Sequence, residues 1–247
     1  MPENRLMMLN GYEFREQEFS KAVLPLGSTE YHGGHLPYGS DSLISTHLAR
    51  ELADRVEGML VLPTLFYGMS QHYASFPIAL SLSSDTLMSV LQDIFLSLNR
   101  HDINRLLIIN GHDGNISPID SASREFRESH PEMKIAVLEA WWETAGKLLP
   151  EDTFDVWNGL GHAGEGETSI NLAINPELVD MSKARGVVPD LPENVEIKWR
   201  FEELTPYGVT GDPTKATAEK GRKMRGKLLE ALVTFVNEMD KRSWRTI

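Results

Sequence analysis

Between Leu24 and Asp41 an apolar run breaks into glycines and then presents Glu30, His32, His35 and Asp41. Glu30 and His32 stand two apart, so an extended backbone sends both side chains out of the same face. Asp41 returns after a turn built from Gly33, Gly34, Pro37 and Gly39. Oxygen and nitrogen donors on a loop that follows a strand suit a divalent hydrolytic metal such as zinc or manganese. Thiolate ligands are ruled out, because the chain has no cysteine.

Two later stretches have the same character. Asn110-Gly111-His112-Asp113-Gly114-Asn115 sets a histidine between glycines, where the backbone can approach a ligand and the two asparagines can brace the loop. Gly161-His162-Ala163-Gly164-Glu165-Gly166-Glu167-Thr168-Ser169 repeats the pattern at a predicted helix start. Singly, each has an ordinary explanation: a histidine beside glycine is commonly a turn residue, and Glu165 and Glu167 fit as acids of a helix's first turn. Three such clusters together argue for one site. His72, in Tyr67-Gly68-Met69-Ser70-Gln71-His72-Tyr73, lies where a neighbouring loop would meet a substrate.

The elements that must position these residues alternate. Apolar runs at 22–26, 59–65, 105–109 and 134–140 read as buried strands, and helical spacing appears at 42–56, 86–98 and 118–129, with Asp85 as the N-cap of the second helix. The order β, α, β, α, β, α, β predicts a mostly parallel sheet with helices on both faces, whose ligands bind at the C-terminal strand ends. Residues 5–20 read as an amphipathic helix or arm, 141–160 as less regular and 185–211 as loop. Asp212-Pro213 predicts a helix running to about Lys241 that buries Met224, Leu228, Leu229, Leu232, Phe235 and Val236. Trp141, Trp142 and Trp157 could stack on a flat substrate, although core or interface packing is the commoner use of such residues. Lys198-Trp199-Arg200 reads as a solvated edge.

Composition narrows the partners. The 247 residues, 41% hydrophobic and 24% charged, fit a single globular domain spanning 1–247. A net charge of -12 argues against nucleic acid and anionic membranes, which need clustered cations. The lack of cysteine and of a signal-like start at Met1-Pro2-Glu3-Asn4-Arg5 leads to an expectation of a cytoplasmic protein.

Thr29-Glu30-Tyr31-His32-Gly33-Gly34-His35-Leu36-Pro37 with Asp41, then Asn110 to Asn115, then His162 to Ser169, resemble the three signatures of the creatininase (creatinine amidohydrolase) family, in order and at similar separations. Thr205-Pro206-Tyr207-Gly208-Val209-Thr210-Gly211-Asp212-Pro213 is similar to that family's late loop. The resemblance implies a three-layer α/β/α sandwich with a mostly parallel central sheet, assembled into homo-oligomers, often hexamers. It also implies two divalent ions per subunit, zinc, manganese or iron. Glu30, His32, Asp41 and His112 match family metal ligands, with Asp41 bridging, and His162 matches a proton-handling histidine. Creatininase itself has a further glutamate ligand two residues after the histidine matching His112, and this chain has Gly114 there.

Glu167 is the first candidate for the missing carboxylate, with Glu165 and Asp113 behind it. Family members with glycine at that point resemble formamidopyrimidine deformylases, peptidases of peptide-cofactor maturation and cyclic-ketone hydrolases. The expected activity is metal-activated water attacking a C–N bond of a small cyclic amide or related compound, with His162, then Glu167, as the acid; His35 either orients a ligand or is purely structural. The alternatives are a deformylase or cyclic-ketone hydrolase on the same centre, or a binding protein that kept the fold.

Overall fold

The protein is seen in a computed structural model that describes residues 3–190, 192 and 197–245. The reading of the start at Met1-Pro2, and positions 191 and 193–196 of the expected loop, lie outside the described residues. In chain order the elements are α1 (Gly11–Arg15), β1 (Lys21–Leu26), α2 (Ser40–Ala53), β2 (Met59–Val61), α3 (Ser84–Asn99), β3 (Arg105–Asn110), α4 (Ile116–Ser129), β4 (Lys134–Leu138), α5 (Trp141–Leu148), α6 (Glu165–Ile174), α7 (Phe201–Leu204) and α8 (Ala218–Lys241).

The strands pair in the order β2-β1-β3-β4, all parallel. Every residue of β1 is buried, as a strand covered on both faces must be. On one face Leu87, Leu91 and Phe95 of α3 with Ile119 and Ala122 of α4 pack on Ala22, Leu24, Leu106 and Ile108. On the other, Ile44, Leu48 and Leu52 of α2, Ile170 of α6 and Leu228 and Leu232 of α8 pack on Val23, Leu107 and Ile109. Three layers, α/β/α, result. Phe95 is fully enclosed, so truncating it to alanine would cost about 3–5 kcal/mol. No helix among the described residues is long and apolar enough to cross a membrane.

Several local expectations are corrected. Ser83, not Asp85, caps α3, its side chain accepting from Thr86 N. Asp212 caps only the short 3-10 turn Pro213–Lys215, and α8 starts later under Thr217, whose side chain accepts from Lys220 N. Phe235 is 38% exposed, at the edge of the apolar stripe rather than in it. The second strand stops at Val61, although Leu65 N still donates to Pro25 O. The segment after 141 contains α5. Strand β1 ends at Leu26, so Glu30 and His32 are loop residues and not neighbours on one strand face, and Asp41 sits in the first turn of α2.

Candidate metal centre

Register places the ends of β1 and β3 side by side, with Leu26 opposite Asn110, so the loops that follow both strands open at one edge of the sheet. Asn110 and Asn115 lock them together. Asn110 Nδ2 donates to His112 O at 2.7 Å and to Glu139 O at 2.9 Å, while Asn115 Nδ2 donates to Gly27 O at 3.0 Å. Asn115 Oδ1 also accepts from Met69 N at 2.9 Å, which brings the 68–70 backbone against the same loop. Gly111 permits this closeness, since a Cβ there would fall 2.2 Å from Asp41 O.

Into this frame come Glu30, His32 and Asp41 from the first stretch, His112 from the second, and His162 and Glu167 from the third. Three groups of donor atoms converge: Glu30, Asp41 and His112; His32, Asp41 and Glu167; and Glu30, His32 and His162, the two that contain Asp41 being buried throughout. Asp41 links those two: Oδ1 is 2.9 Å from His32 Nε2 and Oδ2 is 3.3 Å from His112 Nδ1. Glu167 Oε1 lies 3.3 Å from His32 Nε2, and Glu30 Oε1 lies 3.2 Å from His112 Nδ1 and 3.7 Å from His162 Nδ1.

The far ring nitrogens fix which atom faces the centre. His32 Nδ1 is 3.0 Å from Glu30 O, His112 Nε2 is 3.0 Å from Met69 O and His162 Nε2 is 2.8 Å from Tyr31 O. A carbonyl accepts only, so each of these nitrogens carries the proton and the opposite nitrogen turns inwards. Ser28 Oγ donates to Asp41 Oδ2 at 2.7 Å, and Ala163 N donates to Glu167 Oε2 at 2.6 Å.

The electrostatics are those of a site made for positive charge. Burial alone would push the Asp41 carboxyl up, but the His32 and His112 imidazoles outweigh it and hold it well below its ordinary value. Burial alone would deprotonate His32, yet Asp41 and Glu167 keep its proton on, and Glu30 and Asp41 do the same for His112. His162 is different. Burial, then the charge of His32, depress it to about 3, leaving a neutral ring. Burial pushes the Glu167 carboxyl up, with only partial relief from His32.

Glu30 tests whether a cation belongs here. It is fully buried, and among the described residues its carboxylate faces only the imidazoles of His112 at 3.2 Å and His162 at 3.7 Å, with no hydroxyl or backbone N–H donor. A buried carboxylate that no hydroxyl or amide satisfies is disfavoured unless positive charge meets it, whether from an imidazolium or from a metal ion. The donor set of carboxylate oxygen and imidazole nitrogen fits a divalent ion of the zinc, manganese or iron type.

Other candidates from the sequence fall elsewhere. The Glu165 carboxylate turns away from the cluster, accepting from Asp155 N at 3.0 Å and Val156 N at 2.9 Å and pairing with Lys220. Asp113 is exposed on the cavity rim. His35 is buried with Nε2 2.9 Å from Thr168 Oγ1 and 3.2 Å from Ala163 O, tying the first loop to the start of α6 without a hydrogen bond to the cluster. His72 lines the cavity and stacks on His112, ring centres 5.6 Å apart.

A cavity of about 610 Å³ opens over the cluster, a size suited to a small molecule. Tyr73, Trp141, Trp142, Trp199 and Phe201 give it aromatic walls, and Lys198 reaches its mouth. Sequence reasoning missed Ser28, Met69, Tyr73 and Phe201. Ser28 could have been found as a small polar residue inside the first motif; the others carry no signal by residue type.

The family described as creatinine amidohydrolase matches residues 8–236. A mycofactocin precursor peptide peptidase of Mycobacterium ulcerans (strain Agy99) is 33% identical over 226 residues, 87% of this chain and 83% of that protein. A creatinine amidohydrolase of Pseudomonas putida is 32% identical over 222 residues, 84% of this chain and 83% of that protein. A crystal structure of creatinine amidohydrolase (creatininase) superposes with a TM-score of 0.81 at 28% identity, covering 96% of this chain and 98% of that one. The three motifs, the parallel sheet that gathers them and these likenesses lead to one conclusion: the chain belongs to the creatininase family and is a hydrolase.

Proposed function

We propose that this hydrolase is a metal-dependent amidohydrolase that cleaves a C–N bond in a small cyclic amide, formamide or related compound. Glu30, Asp41 and His112 would hold one divalent ion and His32, Asp41 and Glu167 a second, with Asp41 common to both. When bound, such ions supply a water nucleophile at neutral pH and positive charge for the oxygen of the attacked carbonyl. The observation that carries the reading is the convergence of these buried donors, with the Glu30 carboxylate at their centre met by imidazoles alone and by no hydroxyl or backbone N–H among the described residues.

The chain's own residues then handle the proton. His162 is neutral, its Nε2–H is committed to Tyr31 O, and its free Nδ1 faces the cluster. It takes a proton from the attacking water as the oxygen–carbon bond forms and returns it to the departing nitrogen as the C–N bond breaks. A carboxylic acid and an amine are left. The aromatic walls exclude bulk water and stack on planar amides.

Creatinine itself is not singled out. The relatives named for creatinine hydrolysis and for peptide hydrolysis are almost equally similar, so amide cleavage is the part of their activities that carries over. Gly114 is no sign of lost chemistry, because Glu167 offers the carboxylate to the second group. The chain is proposed to act as one domain in a homo-oligomer, up to a hexamer, which light scattering would test. The reading as a whole is tested by metal content per subunit and by turnover of a panel of small amides before and after chelation. Bound metal with chelator-sensitive turnover supports it; a protein that takes up no metal at neutral pH defeats it.

A further inference from the structure

Tyr73 stands out among the cavity residues that the mechanism leaves unused. Its side chain is 3% exposed, and its ring is held by His162 at 4.5 Å and Phe201 at 4.4 Å between ring centres. It lines the cavity over the cluster, yet its hydroxyl makes no hydrogen bond with any described residue. The ring is packed in, but the oxygen is not among the sealed polar atoms that lack a partner, so the hydroxyl opens on the cavity. The cavity is where a partner can come from.

We infer that Tyr73 is a catalytic residue of the proposed amide hydrolysis, its O–H donating a hydrogen bond to the carbonyl oxygen of the bond to be cleaved. This rests on the hydrolase reading above. A phenol keeps its proton at neutral pH, so the hydroxyl can serve as donor. An amide's carbonyl oxygen is the atom that gains negative charge on attack, and a fixed donor aimed there strengthens as the charge grows. The substrate must therefore present an unhindered carbonyl oxygen on the Tyr73 side of the cavity.

Tyr73→Phe removes the O–H and leaves the ring in place. Metal content and the melting temperature of the metal-free chain should be unchanged, since no protein hydrogen bond is lost. For whichever amide the wild type turns over, kcat should fall about a hundredfold with KM within about threefold. Calorimetry with acetohydroxamate as probe should show affinity weakened about tenfold. Wild-type kcat and probe affinity in the variant would overturn the inference. So would loss of metal or a lowered melting temperature, because the hydroxyl would then be structural. If the wild type hydrolyses no amide, the hydrolase reading has failed, and the probe affinities alone decide whether Tyr73 contacts a bound carbonyl.

Discussion

The carbonyl oxygen of Met69 lies 3.0 Å from His112 Nε2, and it occupies the place into which a side chain at Gly114 would grow. A Cβ on Gly114 would stand 2.1 Å from that oxygen and 2.6 Å from the ring nitrogen. A backbone acceptor thus fills the space beside His112 that a side chain at position 114 would need, and it keeps Nδ1 turned towards Glu30 and Asp41. Gly114→Glu should therefore not add a ligand. Stability should fall by about 1–3 kcal/mol from overpacking, and metal uptake should drop as His112 is displaced. Chemical denaturation and metal analysis would check this; a variant that binds extra metal at undiminished stability contradicts it.

Asp41 touches both imidazoles that face the two groups, and Ser28 aims one of its oxygens. Asp41→Ala should leave less than one ion per subunit and reduce turnover to background. His162→Ala should keep its metal while turnover falls by about 10²–10⁴, the range for a positioned proton carrier. Full activity in the latter would withdraw the role given to His162.

Glu165 and Glu167 make a sharper pair. Two residues apart on a helix are about 200° apart around its axis, so only one of them can face the cluster. Glu167→Gln should lower metal stoichiometry. Glu165→Gln should leave it intact and cost about 2–3 kcal/mol, because a buried carboxylate that accepts two backbone N–H groups and pairs with Lys220 becomes neutral. Equal effects on metal binding would show that the two are not separated as their side chains indicate.

Stability should fall on acidification through this range, and His35 should account for part of the slope. Burial first, and then the charge of His32, hold the ring at about 4, below the roughly 6.5 of an unfolded chain. Between those values the unfolded chain carries the proton and the folded one does not. The contribution is complete above about 6.5 and is lost as pH falls towards 4, at up to about 1.4 kcal/mol per pH unit. Urea denaturation from pH 4.5 to 7.5 should give a shallower slope for His35→Gln than for wild type. Identical slopes would mean that His35 titrates normally in the fold.

Most of the architecture could be read in advance, because β1 and β3 are apolar runs ended by glycine and the helices between them have clear stripes. The misreadings share a cause. Ser83 and Asp85, or Asp212 and Thr217, are competing caps of similar strength, and only tertiary packing decides between them. Phe235 has the right spacing but lies one position beyond the buried arc. In the site, residue type showed three clusters that belong together, but the set Glu30, His32, Asp41 and His112 came from the family resemblance, and the strand-face argument for Glu30 and His32 failed because β1 ends at Leu26. The choice of Glu167 over Glu165 was a ranking that only side-chain direction could support. Met69 was invisible, since it acts through its carbonyl, and Tyr73 matters for what it does not touch.

Because Asp41 is shared, the two donor groups draw on different reaches of the chain: the first closes with His112, whereas the second needs Glu167 from beyond the fourth strand. On the reading proposed here, a change confined to the start of α6 bears directly on one ion, and a change at Asp41 bears on both.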